Sequence, residues 1–256
     1  MPHGPSVTSR ALAILGAFDQ AHPQLSLTEV AERTGLPLST AHRLVAELAD
    51  WGALERASDQ RYYIGRRLWQ LGTLAPVHRG LRDIALPPMQ DVYSITRENV
   101  HLAVRSGTTA LYIERIYGAA SVKIVSRPGS HLPMHATGVG KVLLAYAPDD
   151  VRAQVLSALT PVTRYTITER GRLSRELAGV RRHGYASTAE EMTMGTCSVA
   201  VPVADREGRV VAALGLVARN LRRDLVQHVP VLRVAAAAIG RAIPSDLVDG
   251  DFHPPE

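Results

Sequence analysis

Apolar residues follow two different periods along this chain, and the change from one to the other divides it. Over the first fifty residues they recur every three or four positions, the mark of a helix with one buried stripe. Leu12, Leu15 and Phe18 predict a helix over 8–21, ended by Pro23. A second helix opens with Ser26 and Glu29 at capping-box spacing, with Leu25 and Val30 at the flanking staple positions. Gly35 supplies its left-handed stop. A third helix carries Pro37 in its first turn, where a missing N–H costs nothing, and ends at Gly52 after Trp51. Its Ala41, Leu44, Val45 and Leu48 take the inward spacing, so Ser39, Thr40, His42, Arg43 and Glu47 face outward.

Two short helices joined by a turn of about three residues around Gly35 make a helix-turn-helix. In such a unit the start of the second helix enters the DNA major groove, where Arg grips guanine and Ser or Thr reaches bases or phosphates. The competing reading is a helical hairpin that only packs. Residues 53–56 and 61–64 read as two strands joined by 57–60, an arginine-bearing wing whose Arg56 and Arg61 would meet phosphates. Asp59-Gln60 stands where such a turn more usually has Asp-Gly.

A helix over 66–77 with Leu68, Leu71 and Leu74, interrupted by Pro76, leads to another over 81–97, where Pro87 and Pro88 require a kink or a fresh start. These leucines serve either a subunit interface or the cover of the following domain. From residue 100 the period becomes two. Val100, Leu102 and Val104, the return at 111–116, and stretches at 122–126, 199–203 and 210–217 read as strands. Helices are predicted at 136–147, 173–183 and 224–242, with a loose tail from Pro244. Strands interleaved with helices predict an α+β chain whose larger part has one central sheet.

Composition adds limits more than direction. With 46% hydrophobic and 21% charged residues the chain suits a globular protein. No run approaches the roughly 18 apolar residues of a membrane span. The run 11–18 reads as a buried helix of a cytoplasmic protein rather than a leader. A single cysteine, Cys197, excludes an intrachain disulfide and fits a reducing compartment. The net charge of +5 does not argue for nucleic acid, because the first eighty residues hold 8 Arg against 7 Asp or Glu, a net of +1. Any basic footprint is local: Arg56, Arg61, Arg66 and Arg67 cluster as either a solvated face or a phosphate contact.

Several chemistries are suggested and fail. "GVGK" lacks the first glycine of a phosphate loop, where His135 stands, and the hydroxyl residue after Lys141, where Val142 stands. Cys197 with His135 or His183 reads as a small buried residue beside scattered histidines. Pro133 breaks the helix that would align His131 and His135 on a metal. Adjacent Glu190 and Glu191 point to opposite sides of a strand and make no acid–base pair. No catalytic residue, cofactor or metal is expected.

Three stretches, "GLPLSTAHRLVAEL", "LPMHATGVGKVLLA" and "HGYASTAEEMTMGTCSVAVPVADREGRVVAALGLV", resemble the IclR family of bacterial transcription regulators, and the likeness runs from Thr8 to Ile243. The resemblance implies a winged helix-turn-helix over 1–65, a linker helix over 66–79, a GAF-like effector-binding domain over 80–245 and a tail over 246–256. It also implies a dimer or dimer of dimers, operator DNA and a small-molecule effector as partners, and no membrane. By the same likeness His135, Thr137, Gly138 and Val139 fall at the pocket's helix start, Cys197 at the pocket cysteine, and Leu102, Met134 and Met192 in its apolar lining. Ser187, Gly215 and Val217 replace more polar residues of relatives that sense small oxyacids, which points to a roomier pocket and a larger effector, a partly apolar or aromatic acid. A different class of protein stays open: a ligand carrier or cysteine-dependent enzyme whose first domain contacts other proteins.

Overall fold

Each of the first three helices starts or stops where the chain gives a local reason. In α1 (Val7–Gly16) the Ser6 hydroxyl accepts the Ser9 N–H at the N-cap. In α2 (Leu27–Thr34) Ser26 and Glu29 complete the capping box in both directions, and Gly35 stops the helix at φ 67°. Pro37 precedes α3 (Leu38–Asp50) as its N-cap. The computed structural model describes residues 5–19, 21–72, 74, 79–118, 126–219 and 224–244. Contacts divide the chain into two units, Met1–Ala75 and Pro76–Glu256.

In the first unit Ile14, Ala17, Val30, Leu44, Val45, Leu54 and Tyr62 form the core. Leu12, expected in it, is 62% exposed, and α1 ends five residues before the predicted limit. The helix is apolar on more than one side, so spacing alone could not choose which side packs. A strand absent from the prediction, β1 (Gln24–Leu25), pairs with β3 (Tyr62–Ile64), which pairs with β2 (Leu54–Arg56) in the order β1-β3-β2. The wing is thus stitched to the loop before α2. At its tip Gln60 takes φ 70°, the conformation that glycine adopts without strain. The following α4 (Arg66–Gly72) buries no residue, leaving Trp69 68% exposed. The rest of that predicted helix, at 73 and 75–78, lies outside the described residues.

The second unit is a six-stranded antiparallel sheet in the order β6-β5-β4-β9-β8-β7. Its strands are β4 (Asn99–Ser106), β5 (Thr109–Ile116), β6 (His131–Pro133), β7 (Ala186–Ala189), β8 (Cys197–Ala204) and β9 (Val210–Ala218). Of the predicted strand at 122–126 only Ser126 is described, and it is not in a strand. The predicted tail from 245 onward also lies outside the described residues.

Helices cover both faces of the sheet. On one face α5 (Arg79–Thr96) and α9 (Val229–Ala242) pack against Val100, Leu102, Val104, Val199, Val201, Leu214 and Leu216. On the other α6 (Gly138–Ala145) and α8 (Arg170–His183) pack against Ala103, Tyr112, Ala186, Ala200 and Ala213. A further helix, α7 (Asp149–Ser157), was not predicted.

Pro87 and Pro88 lie inside one unbroken helix rather than marking a new one. An interior proline costs ~3 kcal/mol. The buried stripe of Leu81, Ala85, Met89 and Val92 continues past both, and each large side chain returns about 1.5–3 kcal/mol on burial. Tertiary packing overrides the local penalty.

Candidate functional site

The first unit presents an outward polar surface at the start of α3. Ser39, His42 and Arg43 are exposed and Thr40 is half-buried, all in the first two turns of α3. Arg43 pairs with Glu47 one turn on, at 2.6 Å. An exposed pair of this kind is worth about 0.3–0.5 kcal/mol, so Arg43 is readily released. In the wing, Arg56 is exposed and rests over the Tyr62 ring at 5.4 Å. Arg61 is placed differently. Its Nη2 donates to both carboxylate oxygens of Glu29, at 2.6 and 2.8 Å, and so ties the wing to the α2 capping box. The Ser26 amide, then the Ser26 hydroxyl, then Arg61 hold the Glu29 carboxyl down at about 2.

In the second unit the registers of β4, β9, β8 and β7 align side chains in rows beneath α6. His101, Gly215, Ala200 and Ala186 form one row; Asn99, Val217, Ser198 and Thr188 form the next. The start of α6 comes down directly on them. A Cβ on Gly138 would sit 2.6 Å from Ser198 Oγ, and one on Gly215 would sit 2.9 Å from Val139 Cγ1. Only glycine at both positions allows this approach.

Between the helix start and the rows lies a cavity of about 500 Å³, counting its open mouth. Thr137, Gly138 and Val139 form one wall, and His101, Tyr112, Ser126 and Leu132 another. Thr188, Ser198, Gly215 and Val217 form the floor, and Met192, Thr193 and Thr196 a closing loop. None of these residues bears a formal charge at neutral pH, since burial pushes the His101 imidazole down to about 3. Thr137 Oγ1 accepts the Gly140 N–H at 3.1 Å, and the Lys141 N–H reaches the Thr137 carbonyl at 2.8 Å. The N–H groups of Gly138 and Val139 precede these bonds and stand at the cavity wall. Such a helix start receives a carboxylate.

Of the residues expected in the pocket, Thr137, Gly138, Val139, Met192, Gly215 and Val217 line the cavity. Five expected residues lie elsewhere. Leu102 is in the core of the opposite face, and Cys197 packs against that core with its thiol raised by burial. Ser187 is exposed on the far side of β7 from Thr188. Met134 is enclosed in the core under α6. His135 Nε2 turns to the Thr160 carbonyl at 2.9 Å and braces that loop. For Leu102, Ser187 and Cys197 the neighbouring residue, His101, Thr188 or Ser198, faces the cavity: a one-residue step moves a strand side chain to the other face. The alternation of Thr188 with Ala186 and of Ser198 with Ala200 was the available signal.

A winged helix-turn-helix followed by a domain with a cavity lined by uncharged polar and apolar side chains is the build of a ligand-responsive transcription regulator. The chain belongs to the IclR family. Residues 7–58 match the IclR helix-turn-helix domain, and residues 74–241 match the family described as bacterial transcriptional regulator IclR C-terminal. The chain is 33% identical over 240 residues to the HTH-type transcriptional regulator XynR of Escherichia coli, covering 91% of this chain and 95% of that one. An IclR homolog from Microbacterium hydrocarbonoxydans, solved in complex with 4-hydroxybenzoate, is 35% identical with a TM-score of 0.86, covering 93% of this chain and 98% of that one. The Thermotoga maritima IclR structure is 30% identical with a TM-score of 0.74, covering 91% and 97%. These relatives are regulators and not enzymes.

Proposed function

We propose that this regulator reads operator DNA with Ser39, Thr40, His42 and Arg43, and that its DNA affinity changes when an aromatic or partly apolar carboxylic acid enters the cavity. The observation that carries the reading is the α6 start, where Gly138 and Val139, in the first turn whose N–H groups a helix leaves unused, line a cavity of uncharged polar and apolar side chains. There the acid's carboxylate meets backbone donors and the positive end of a helix, while its body meets Val139, Leu132, Met192 and Val217. The 4-hydroxybenzoate held by the Microbacterium homolog supports that ligand class.

On the DNA side Arg56 meets phosphate. Arg61 serves mainly to hold the wing, because taking it from Glu29 would also disturb the α2 cap. Residues 1–65 are the DNA-binding domain, 66–79 the linker and 80–245 the effector domain. The exposed Leu12, Trp69, Leu71 and Leu74 are the apolar surface through which two copies associate, setting two recognition helices on one operator. A bacterial protein that reads chromosomal DNA works in the cytoplasm.

Two measurements test this reading. Binding of the full chain to duplex DNA from upstream of its own gene should weaken steeply with salt, and Arg43→Ala should lose about 1–3 kcal/mol of sequence discrimination. A thermal-shift screen of aromatic against short-chain aliphatic acids should raise the melting temperature for the aromatic set. A salt-independent DNA interaction would refute the first half, and no shift with any acid the second.

A further inference from the structure

Beyond the helix start, the cavity wall continues as a chain of uncharged hydrogen-bonding side chains. Tyr112 and Thr137 both line the cavity. The Tyr112 ring meets His101 edge to face with centroids 5.4 Å apart. His101 Nε2 then lies 3.3 Å from Ser126 Oγ. That contact is long for a hydroxyl–nitrogen hydrogen bond, so the imidazole's capacity is weakly used. Burial and the nearby Arg115 charge keep the ring neutral at physiological pH, with one nitrogen donating and the other accepting.

The sheet register gives the spacing. Gly138 stands over Ser198 on β8 and Val139 over Gly215 on β9, while His101 is on β4, the next strand along. Strands lie about 4.8 Å apart, so His101 is offset from the α6 amides by one to two spacings, ~5–10 Å. Two groups of hydrogen-bonding residues at that offset suit a ligand with polar substituents at opposite ends of one ring. They do not suit two polar groups on adjacent carbons. A second carboxylate at the His101 end would be desolvated against a neutral imidazole, whereas a hydroxyl matches it.

We propose that His101 is a specificity-determining residue of this pocket, forming a hydrogen bond with a hydroxyl on the aromatic ring of an acid whose carboxylate rests on the Gly138 and Val139 amides. This rests on the carboxylate reading of the cavity given above. Ser126 and Tyr112 act through His101 by fixing its ring.

The test is calorimetric titration of the full-length protein with 4-hydroxybenzoate and with benzoate. The wild type should bind the hydroxy acid at least tenfold more tightly, since a site built to bond a hydroxyl is left with an unpaired buried group by the analogue that lacks it. In His101→Phe that ratio should fall to near one. His101→Gln, which keeps a donor and an acceptor, should retain part of the preference. A wild-type ratio near one overturns the assignment even if the Phe variant does not fold, and so does a preference that survives in His101→Phe. If neither acid binds the wild type, the carboxylate reading falls and the assignment falls with it. Binding of both acids without discrimination overturns the assignment alone.

Discussion

Lys141 Nζ lies 2.7 Å from Glu191 Oε1 in an enclosed ion pair, with Lys141 only 1% exposed. The same nitrogen reaches Glu176 Oε2 of α8 at 2.5 Å. One side chain therefore fastens α6, whose start forms a cavity wall, both to α8 and to the loop that closes the cavity. Glu191 Oε2 has no partner among the described residues, and burial pushes this carboxyl above its ordinary range against the opposing pull of Lys141. Removing one member of a buried pair costs about 3–5 kcal/mol. Lys141→Met is expected near the low end of that range, because Glu191 is already disposed to take up a proton once unpaired. Lys141→Met with Glu191→Gln should recover much of the loss. Urea unfolding followed by circular dichroism measures both, since the two tryptophans, Trp51 and Trp69, lie in the first unit and report little on the second.

Acid should destabilise the second unit through His101. Its imidazole is pushed to about 3 when folded, first by burial and then by Arg115, and returns to about 6.5 when unfolded. The unfolded chain therefore binds a proton that the folded chain refuses. The stability is fully present above pH 6.5 and is lost as pH falls through that window towards 3. At pH 5 the loss is on the order of 2 kcal/mol. His101→Gln should flatten the dependence of melting temperature on pH between 5 and 7. An unchanged slope would show that other groups carry it.

Glu29 works in the same direction in the first unit at lower pH. Its carboxyl is held near 2 by Ser26 and Arg61, so its contribution is present above about 4.5 and is lost as pH falls through 2. Glu29→Ala removes the carboxylate half of the capping box and the wing tie, leaving the backbone bond to the Ser26 hydroxyl; Arg61→Ala removes only the tie. Tryptophan-detected unfolding should shift further for Glu29→Ala than for Arg61→Ala.

Opposite faces of the sheet should separate stability from recognition. Leu102→Ala leaves a hole in a close-packed core and is expected to cost 2–5 kcal/mol without altering which acid is preferred. Ser198→Ala removes a cavity hydroxyl and should weaken effector binding several-fold at little cost in stability. Paired titrations and unfolding curves of these two variants check the sheet's facing.

That contrast marks what the amino-acid pattern reveals. The first unit was legible because its punctuation is local: Ser26 with Glu29, Gly35, and inward positions at helical spacing in α3. The two-residue β1 carried no periodic signal, and α1 gave no polar side by which to orient Leu12. In the effector domain the alternation located β4, β8 and β9, but these strands are buried on both faces, so polarity does not say which parity meets α6. Pairing partners decide that, and pairing is long-range. The resemblance to relatives chose Thr137, Gly138 and Val139, which line the cavity, and Leu102, Ser187 and Cys197, each one step from a lining residue, His101, Thr188 or Ser198.

The uncharged cavity separates how the two ends of the protein respond to ionic strength. On the proposed reading, a carboxylate held by enclosed amides and neutral side chains would be little screened by mobile ions, while an attraction between Arg56 and phosphate would weaken as potassium accumulates in the cell. Osmotic upshift would then loosen the grip on the operator and leave metabolite sensing almost untouched, so the same metabolite level would give a different occupancy of the promoter.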